Sequence, residues 1–326
     1  MDLALFGLIG GGLAALVVGG EFLVRGASRL AAALGVPSVV IGLTVVAFGT
    51  STPELAVSLK AAWSGNADIA VANVVGSNVF NVLFILGGCA LLSPLVIHSQ
   101  MISREVPIMV GVSLLLFAFG ANGTISQWEG GLLFVGIVAY TTWLVREALA
   151  KKRENRRLEK EFEQELAPVK NSRSPLAISL AFVAGGLAVV MLGADWLVTG
   201  AVRMAQSLGV SDTVIGLTIV AAGTSLPEVV ASVMATIKGE RDIAVGNVVG
   251  SNIYNILAIL GASGVASKSG LSVNPSMLAF DIPVMIGVAA ICWPFFRSGQ
   301  RLSRLEGAVF LVGYVAYTAY LVSQAS

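Results

Sequence analysis

Two glutamates set in apolar surroundings are the residues best suited to chemistry in this chain. Gly49-Thr50-Ser51-Thr52-Pro53-Glu54 recurs as Gly223-Thr224-Ser225-Leu226-Pro227-Glu228, and each copy interrupts a long apolar run. Of the 19 acidic residues, Glu54 and Glu228 are the only two placed deep within such runs. An ionised carboxylate at the centre of a membrane helix costs ~3 kcal/mol or more. No Lys or Arg lies deep enough to be an obvious partner, so a bound cation is the natural compensation.

The proline adds a second ingredient. It cannot donate to the carbonyl four residues back, so Gly49 and Gly223 lose that helix bond. A broken helix at membrane depth is tolerated where it lines a polar cavity, and its freed carbonyls can hold a cation. Thr50 and Ser51 stand four and three residues before Glu54, on its side of a helix. Carboxylate, hydroxyl and carbonyl oxygens are the hard ligands that calcium and sodium prefer. A second repeated motif, Asn73-Val-Val-Gly-Ser77-Asn78-Val-Phe-Asn81 and Asn247-Val-Val-Gly-Ser251-Asn252-Ile-Tyr-Asn255, supplies neutral oxygens. Asn73, Ser77 and Asn81 recur every four residues and form one polar stripe.

Each feature has a plainer reading. Ser, Thr and Asn in membrane helices often only hold helices together. Both glutamates beside a proline break, in both copies, favour a cation site over that reading. Asp68 and Asp242 read as helix N-caps. Glu21, Asp195, Glu105, Asp281, Glu129 and Glu306 read as interfacial. Gly7 and Gly11 have the spacing of close helix packing, and His98 reads as a loop residue.

These motifs must be positioned by membrane helices. The chain has 326 residues, 56% hydrophobic and only 12% charged, with net charge +1. A soluble domain is typically about 25% charged, and this balance implies a lipid bilayer as solvent and no nucleic-acid partner. The first apolar run lacks the marks of a cleavable signal and reads as a membrane helix. Ten segments are long and apolar enough to span: 3–24, 37–60, 69–93, 105–121, 127–146, 176–199, 211–237, 243–266, 277–296 and 303–322. A charged connection, which reads as a solvated helix or disordered linker, separates the fifth from the sixth. The expectation is an all-α polytopic membrane protein with ten transmembrane helices, helices 2 and 7 being broken. Its parts are a five-helix repeat at 1–146, a cytoplasmic linker at 147–175 and a second repeat at 176–326.

The repeat is explicit in the sequence. Residues 34–87 align without a gap on 208–261, with 33 identities in 54 positions. Glu105 and Pro107 recur as Asp281 and Pro283, and Val-Ala-Tyr-Thr at 138–141 recurs at 315–318. Five spans per repeat is an odd number, so the second copy enters the membrane inverted. Inverted repeats are a transporter architecture with the site at the repeat interface near the midplane. If the long connection is cytoplasmic, only Lys60, Arg203 and Lys268 of 20 basic residues fall outside, as positive-inside topology demands. Both termini are then outside.

Together the two motifs resemble the α-repeats of the sodium/calcium exchanger family, within the cation/calcium antiporters, over nearly the whole chain except the long connection. The resemblance implies helices 2, 3, 7 and 8 around the site, with helices 1 and 6 sliding across them to alternate access. It implies calcium held by Glu54 and Glu228, with oxygens, expected to be carbonyls, from Thr50 and Thr224. It implies sodium sites from Ser51, Ser77, Ser225, Ser251 and the carbonyls of Ala47 and Ala221, with Asn81 and Asn255 lining the centre. Many relatives carry Asp where this chain has Asn255. Two glutamates give a charge of −2, which one calcium or two sodium ions balance, whereas the family's usual three-for-one exchange leaves an extra positive charge. The connection is too short for the calcium-sensing domains of larger animal relatives.

The function expected is sodium/calcium antiport in a prokaryotic plasma or inner membrane, with no cofactor and no obligate protein partner. The rivals are calcium/proton antiport and potassium-dependent sodium/calcium exchange. The proton branch resembles a motif with histidine after the glutamate, and here Leu55 and Val229 follow. A passive channel is a rival of another class, though inverted broken helices weigh against it. Enzyme chemistry finds little support. A single histidine makes a zinc site or a Ser–His hydrolase hard to build. Cys89 and Cys292, in apolar runs, read as packing residues.

Overall fold

The computed structural model describes residues 3–162, 176–208 and 221–325. Nearly all of them are helical. α1 is Leu3–Leu34; α2 (Ser38–Thr50) and α3 (Thr52–Trp63) form a pair bent by 46°. α4 (Ala67–Leu92) and α5 (Met101–Gly120) follow, then α6 (Gln127–Phe162) and α7 (Leu176–Ser207). α8 (Ala221–Thr224) and α9 (Leu226–Ile237) flank Ser225. α10 (Arg241–Ala266) and α11 (Met277–Arg297) precede α12 (Arg304–Ala325). Among the described residues, eight helices are long and apolar enough to cross a membrane, or nine if the bent pair is one span. The expected span 211–237 is described only from Ala221 onward.

Several helices outrun the expected spans. α1 and α7 continue about two turns or more past 24 and 199, and α6 runs on to Phe162, so the charged connection begins as helix. Hydropathy ends a span at the first charges, but a helix need not stop there, because long basic side chains reach out of the apolar layer. Arg25 pairs with Glu21. The Arg29 guanidinium stands 5.0 Å from the centre of the Phe182 ring. Residues 163–175 lie outside the described part of the chain.

The layers follow from polarity. In α10, 94% of the most apolar window is buried, and in α4 72%, against 11% in α12. α4 and α10 carry the Asn and Ser stripes, which lipid would not solvate, so they occupy the centre. α2 lies directly on α10: a Cβ added at Gly250 would stand 2.8 Å from the Leu43 carbonyl oxygen, and one at Gly246 2.9 Å from that of Val39. Only glycine allows this approach, which carries the first motif to the second.

α1 and α7 pack along each other outside this core. Their contacts use Gly12, Gly19 and Gly26 with Gly186, Gly193 and Gly200, each seven residues apart. A Cβ at Gly19 would meet the Val190 nitrogen at 2.7 Å, and one at Gly186 the Leu23 nitrogen at 2.4 Å. The expected packing pair does not do this: Gly7 meets nothing within 4 Å, and Gly11 meets only the Trp196 ring, at 3.5 Å.

Two antiparallel strand pairs tie the halves together at their loops. Leu95–Val96 pairs with Arg301–Leu302, and Thr124–Ile125 with Leu271–Ser272. Cys89 and Cys292 are buried and free, as expected.

Candidate functional site

Both motifs break their helices at serine. Ser51 (φ −78°, ψ 9°) separates α2 from α3, and Ser225 (φ −89°, ψ 6°) separates α8 from α9. These angles fall in the sparsely populated bridge region, where active-site residues are often found. Pro53 and Pro227 sit in the first turns of α3 and α9, where a missing N–H costs nothing. Glu54 and Glu228 follow in the same turns and are each 1% exposed.

The hydroxyls cross between the halves. Ser51 Oγ donates to Glu228 Oε1 at 2.9 Å, and Ser225 Oγ donates to Glu54 Oε1 at 2.9 Å. The sequence spacing places Ser51 with Glu54 of its own motif; the structure gives each serine to the opposite glutamate instead. The break turns each hydroxyl away from its own helix face, and neither half holds a complete carboxylate environment alone. Ser77 Oγ stands 3.3 Å from Ser225 Oγ.

Among the described residues, four acceptor oxygens of the two motifs have no protein donor: Glu54 Oε2, Glu228 Oε2, Asn81 Oδ1 and Asn255 Oδ1. All are buried, and Ser251 Oγ is likewise buried without a partner. Buried polar atoms are normally satisfied, so such a group needs an explanation. Asn81 and Asn255 each open a π-helical stretch, Asn81–Leu86 and Asn255–Leu260, a feature frequent at functional sites. Among the described residues no three His, Cys, Asp or Glu side chains converge. A cation here would meet two carboxylates and otherwise neutral oxygens, which suits a hard ion.

The remaining expected ligands divide. Thr50 Oγ1 donates to Asn247 Oδ1 at 3.1 Å, with the Ala47 carbonyl oxygen at 3.3 Å, so its hydroxyl is engaged within the protein. The Ala47 carbonyl also accepts the Ser51 N–H at 3.1 Å, so little of its capacity is free. Ala221 and Thr224 form the two ends of the short α8. Ser77 and Ser225 line a cavity of about 280 Å³ that reaches Tyr314 and Tyr317 on α12.

Several residues of the site lie outside the expected set. Asn73 Nδ2 donates to the Glu54 carbonyl and to Ser58 Oγ, at 3.2 and 3.0 Å. Asn247 does the same with Glu228 and Ser232, at 3.3 and 2.9 Å. Ser58 and Ser232 recur four residues after their glutamates, a signal that the repeat contains. Asp68 and Asp242 lie in the first turns of their helices rather than at the caps, which are Asn66 and Glu240. Glu105, near a span end, is buried within the protein: it is 0% exposed, accepting Gln100 Nε2 at 2.9 Å and the Tyr140 hydroxyl at 2.6 Å. Its counterpart Asp281 accepts the Tyr317 hydroxyl at 2.8 Å. The joint recurrence of acid and tyrosine was the available signal.

Known proteins are similar to this chain in sequence and in fold. The family described as "Sodium/calcium exchanger protein" matches residues 4–146 and 178–323. The "Sodium/calcium exchanger MaX1" of Methanosarcina acetivorans is 39% identical over 352 aligned positions, covering 95% of this chain and 96% of that protein. The "Inner membrane protein YrbG" of Escherichia coli K12 is 33% identical, covering 95% and 94%. A solved structure of the sodium-calcium exchanger NCX_Mj superposes with a TM-score of 0.82 at 28% identity, covering 98% of this chain and 99% of that one. The relatives are ion exchangers and membrane proteins, not enzymes. This chain belongs to the sodium/calcium exchanger family, as an integral membrane protein.

Proposed function

We propose that the chain exchanges sodium for calcium by alternating access, at a site near the bilayer midplane built around Glu54 and Glu228. The observation that carries this reading is that four buried acceptor oxygens of the two motifs, two from each half of the chain, have no protein donor. Two carboxylates supply the charge that a divalent ion needs. Thr50, Thr224, Ser51, Ser225, Ser77, Ser251, Asn81 and Asn255 complete the ligand set, with the carbonyls of Ala47 and Ala221 as weaker members. The NCX_Mj structure that resembles this chain was soaked with sodium and calcium, which supports the same two ions as cargo.

The full architecture in this reading has ten helices in two inverted repeats, 1–146 and 176–326, joined by a cytoplasmic linker. Loop contacts support the alternation of sides. The loops near Leu95, Arg241 and Arg301 meet one another through β pairing and an Arg241–Ser93 bond. Those near Thr124 and Leu271 pair separately. The basic residues concentrate with the first group, so that face is cytoplasmic, and both termini are outside. α1 and α7 are the moving body. Leu187 of α7 presses on Gly49 and Val198 presses on Gly223, just before the two breaks; a Cβ there would stand 2.4 and 2.6 Å away.

The test is calcium uptake into liposomes holding purified protein. Internal sodium is compared with potassium, choline and a proton gradient. Uptake that requires sodium supports the reading. Uptake driven by protons alone, or only with potassium beside sodium, moves the protein to a rival branch. No calcium flux from folded protein under any gradient rejects calcium as cargo.

A further inference from the structure

We infer that Asn78 and Asn252 are positioning residues that fix which end of the Asn255 and Asn81 amides faces the ion site, so that both present oxygen. The inference rests on reading that site as a calcium site, and it concerns two residues that contribute no ligand themselves.

A backbone carbonyl only accepts hydrogen bonds. Asn78 lies 3.2 Å from the carbonyl oxygen of Asn252, so the end of its amide placed there is nitrogen. The second proton on that nitrogen points to Met285 Sδ at 3.7 Å, another acceptor. Asn78 Oδ1 must then lie at the opposite end, where it meets the amide of Asn255 at 2.9 Å. An oxygen there demands a donor, so Asn255 turns its nitrogen toward Asn78 and its oxygen away. The same chain runs in reverse. Asn252 Nδ2 is fixed by the Asn78 carbonyl at 3.3 Å and Met109 Sδ at 3.5 Å. Asn252 Oδ1 then accepts Asn81 Nδ2 at 3.0 Å. The amide ends left over are Asn81 Oδ1 and Asn255 Oδ1, two of the four oxygens without a donor.

An asparagine amide is nearly symmetric in shape but opposite in polarity at its two ends. Without the lock, a half-turn would put N–H groups against a cation. The knot removes that option on both sides and draws each orienting residue from the opposite half. It also explains why neutral amides can serve here: a donor, not a second acceptor, must face Asn78 Oδ1 from position 255. All four asparagines are buried, so water does not compete for these bonds.

The test is sodium-driven calcium uptake in liposomes across calcium concentrations, with wild type, Asn78→Leu, Asn255→Ala and the double variant, and the mirror set Asn252→Leu, Asn81→Ala. Leucine keeps the Cγ branching of asparagine, though it is larger, and removes its hydrogen-bonding groups. Each single variant is expected to raise half-saturating calcium about tenfold, as for loss of one hydrogen bond to a charged group, and to change the maximal rate little. The double variant is expected to match Asn255→Ala within about twofold, because the lock acts through that residue. Wild-type half-saturation in Asn78→Leu, or effects that multiply to about a hundredfold in the double variant, would overturn the inference. So would failure of both leucine variants to fold, which would assign the knot to stability alone. A wild type without calcium uptake rejects the calcium reading itself, and is thereby distinguishable.

Discussion

Glu54 and Glu105 are both carboxylates taken fully out of solvent, yet their surroundings differ in one respect. Both oxygens of Glu105 accept a hydrogen bond, one from Gln100 and one from Tyr140. Glu54 and Glu228 each receive one serine hydroxyl and keep the other oxygen without a donor. A buried polar group that is fully bonded adds to stability, whereas one left open costs free energy unless a ligand fills it. The pairing with Asp281 and Tyr317 makes the same point. Glu105 is a fastener between α5 and α6, whereas in the proposed reading the two motif glutamates are held ready for a cation.

That contrast can be broken in order of expected effect. Glu54→Gln and Glu228→Gln should each lower sodium-driven calcium uptake at least about a hundredfold, the scale of losing roughly 3 kcal/mol of charge interaction, with folded protein recovered. Ser51→Ala and Ser225→Ala should raise half-saturating calcium about tenfold, as one hydrogen bond to a charged group is lost. The crossed geometry sharpens this: Ser51→Ala should be non-additive with Glu228→Asp and nearly additive with Glu54→Asp. Tyr140→Phe leaves a buried carboxyl oxygen unpartnered and should destabilise the fold by about 1–3 kcal/mol in thermal unfolding, with half-saturating calcium unchanged. Tyr317→Phe should cost less, below about 1 kcal/mol, because Asp281 is only partly buried and water can replace the hydroxyl.

Most of the scaffold was legible because its causes are local. Apolar runs mark spans, and Gly-Thr-Ser-x-Pro-Glu marks a break with a carboxylate beside it; α2–α3 and α8–α9 follow from that alone. What was not legible depends on the partner half. Spacing within one motif puts Ser51 beside Glu54, and only the packed pair reveals that its hydroxyl crosses to Glu228. Asn78 looks like one more motif residue until Asn252 is opposite it. Glu105 sits at a span end by hydropathy, and only the tyrosine one helix away shows why it can be buried. The glycine contacts are hidden from the sequence for a similar reason. A four-residue spacing drew notice to Gly7 and Gly11, whereas α1 and α7 meet at a seven-residue spacing that each helix shows only when set against the other.

In the proposed reading, the open oxygens of Glu54 and Glu228, and not burial of a carboxylate as such, make the calcium site. Equilibrium calcium binding to purified protein at low sodium tests this most directly, with Glu54→Gln, Glu228→Gln and Glu105→Gln measured side by side. Saturable binding is expected in wild type and in Glu105→Gln, and none in the other two. Binding that survives Glu54→Gln and Glu228→Gln, or that disappears with Glu105→Gln in folded protein, would contradict it.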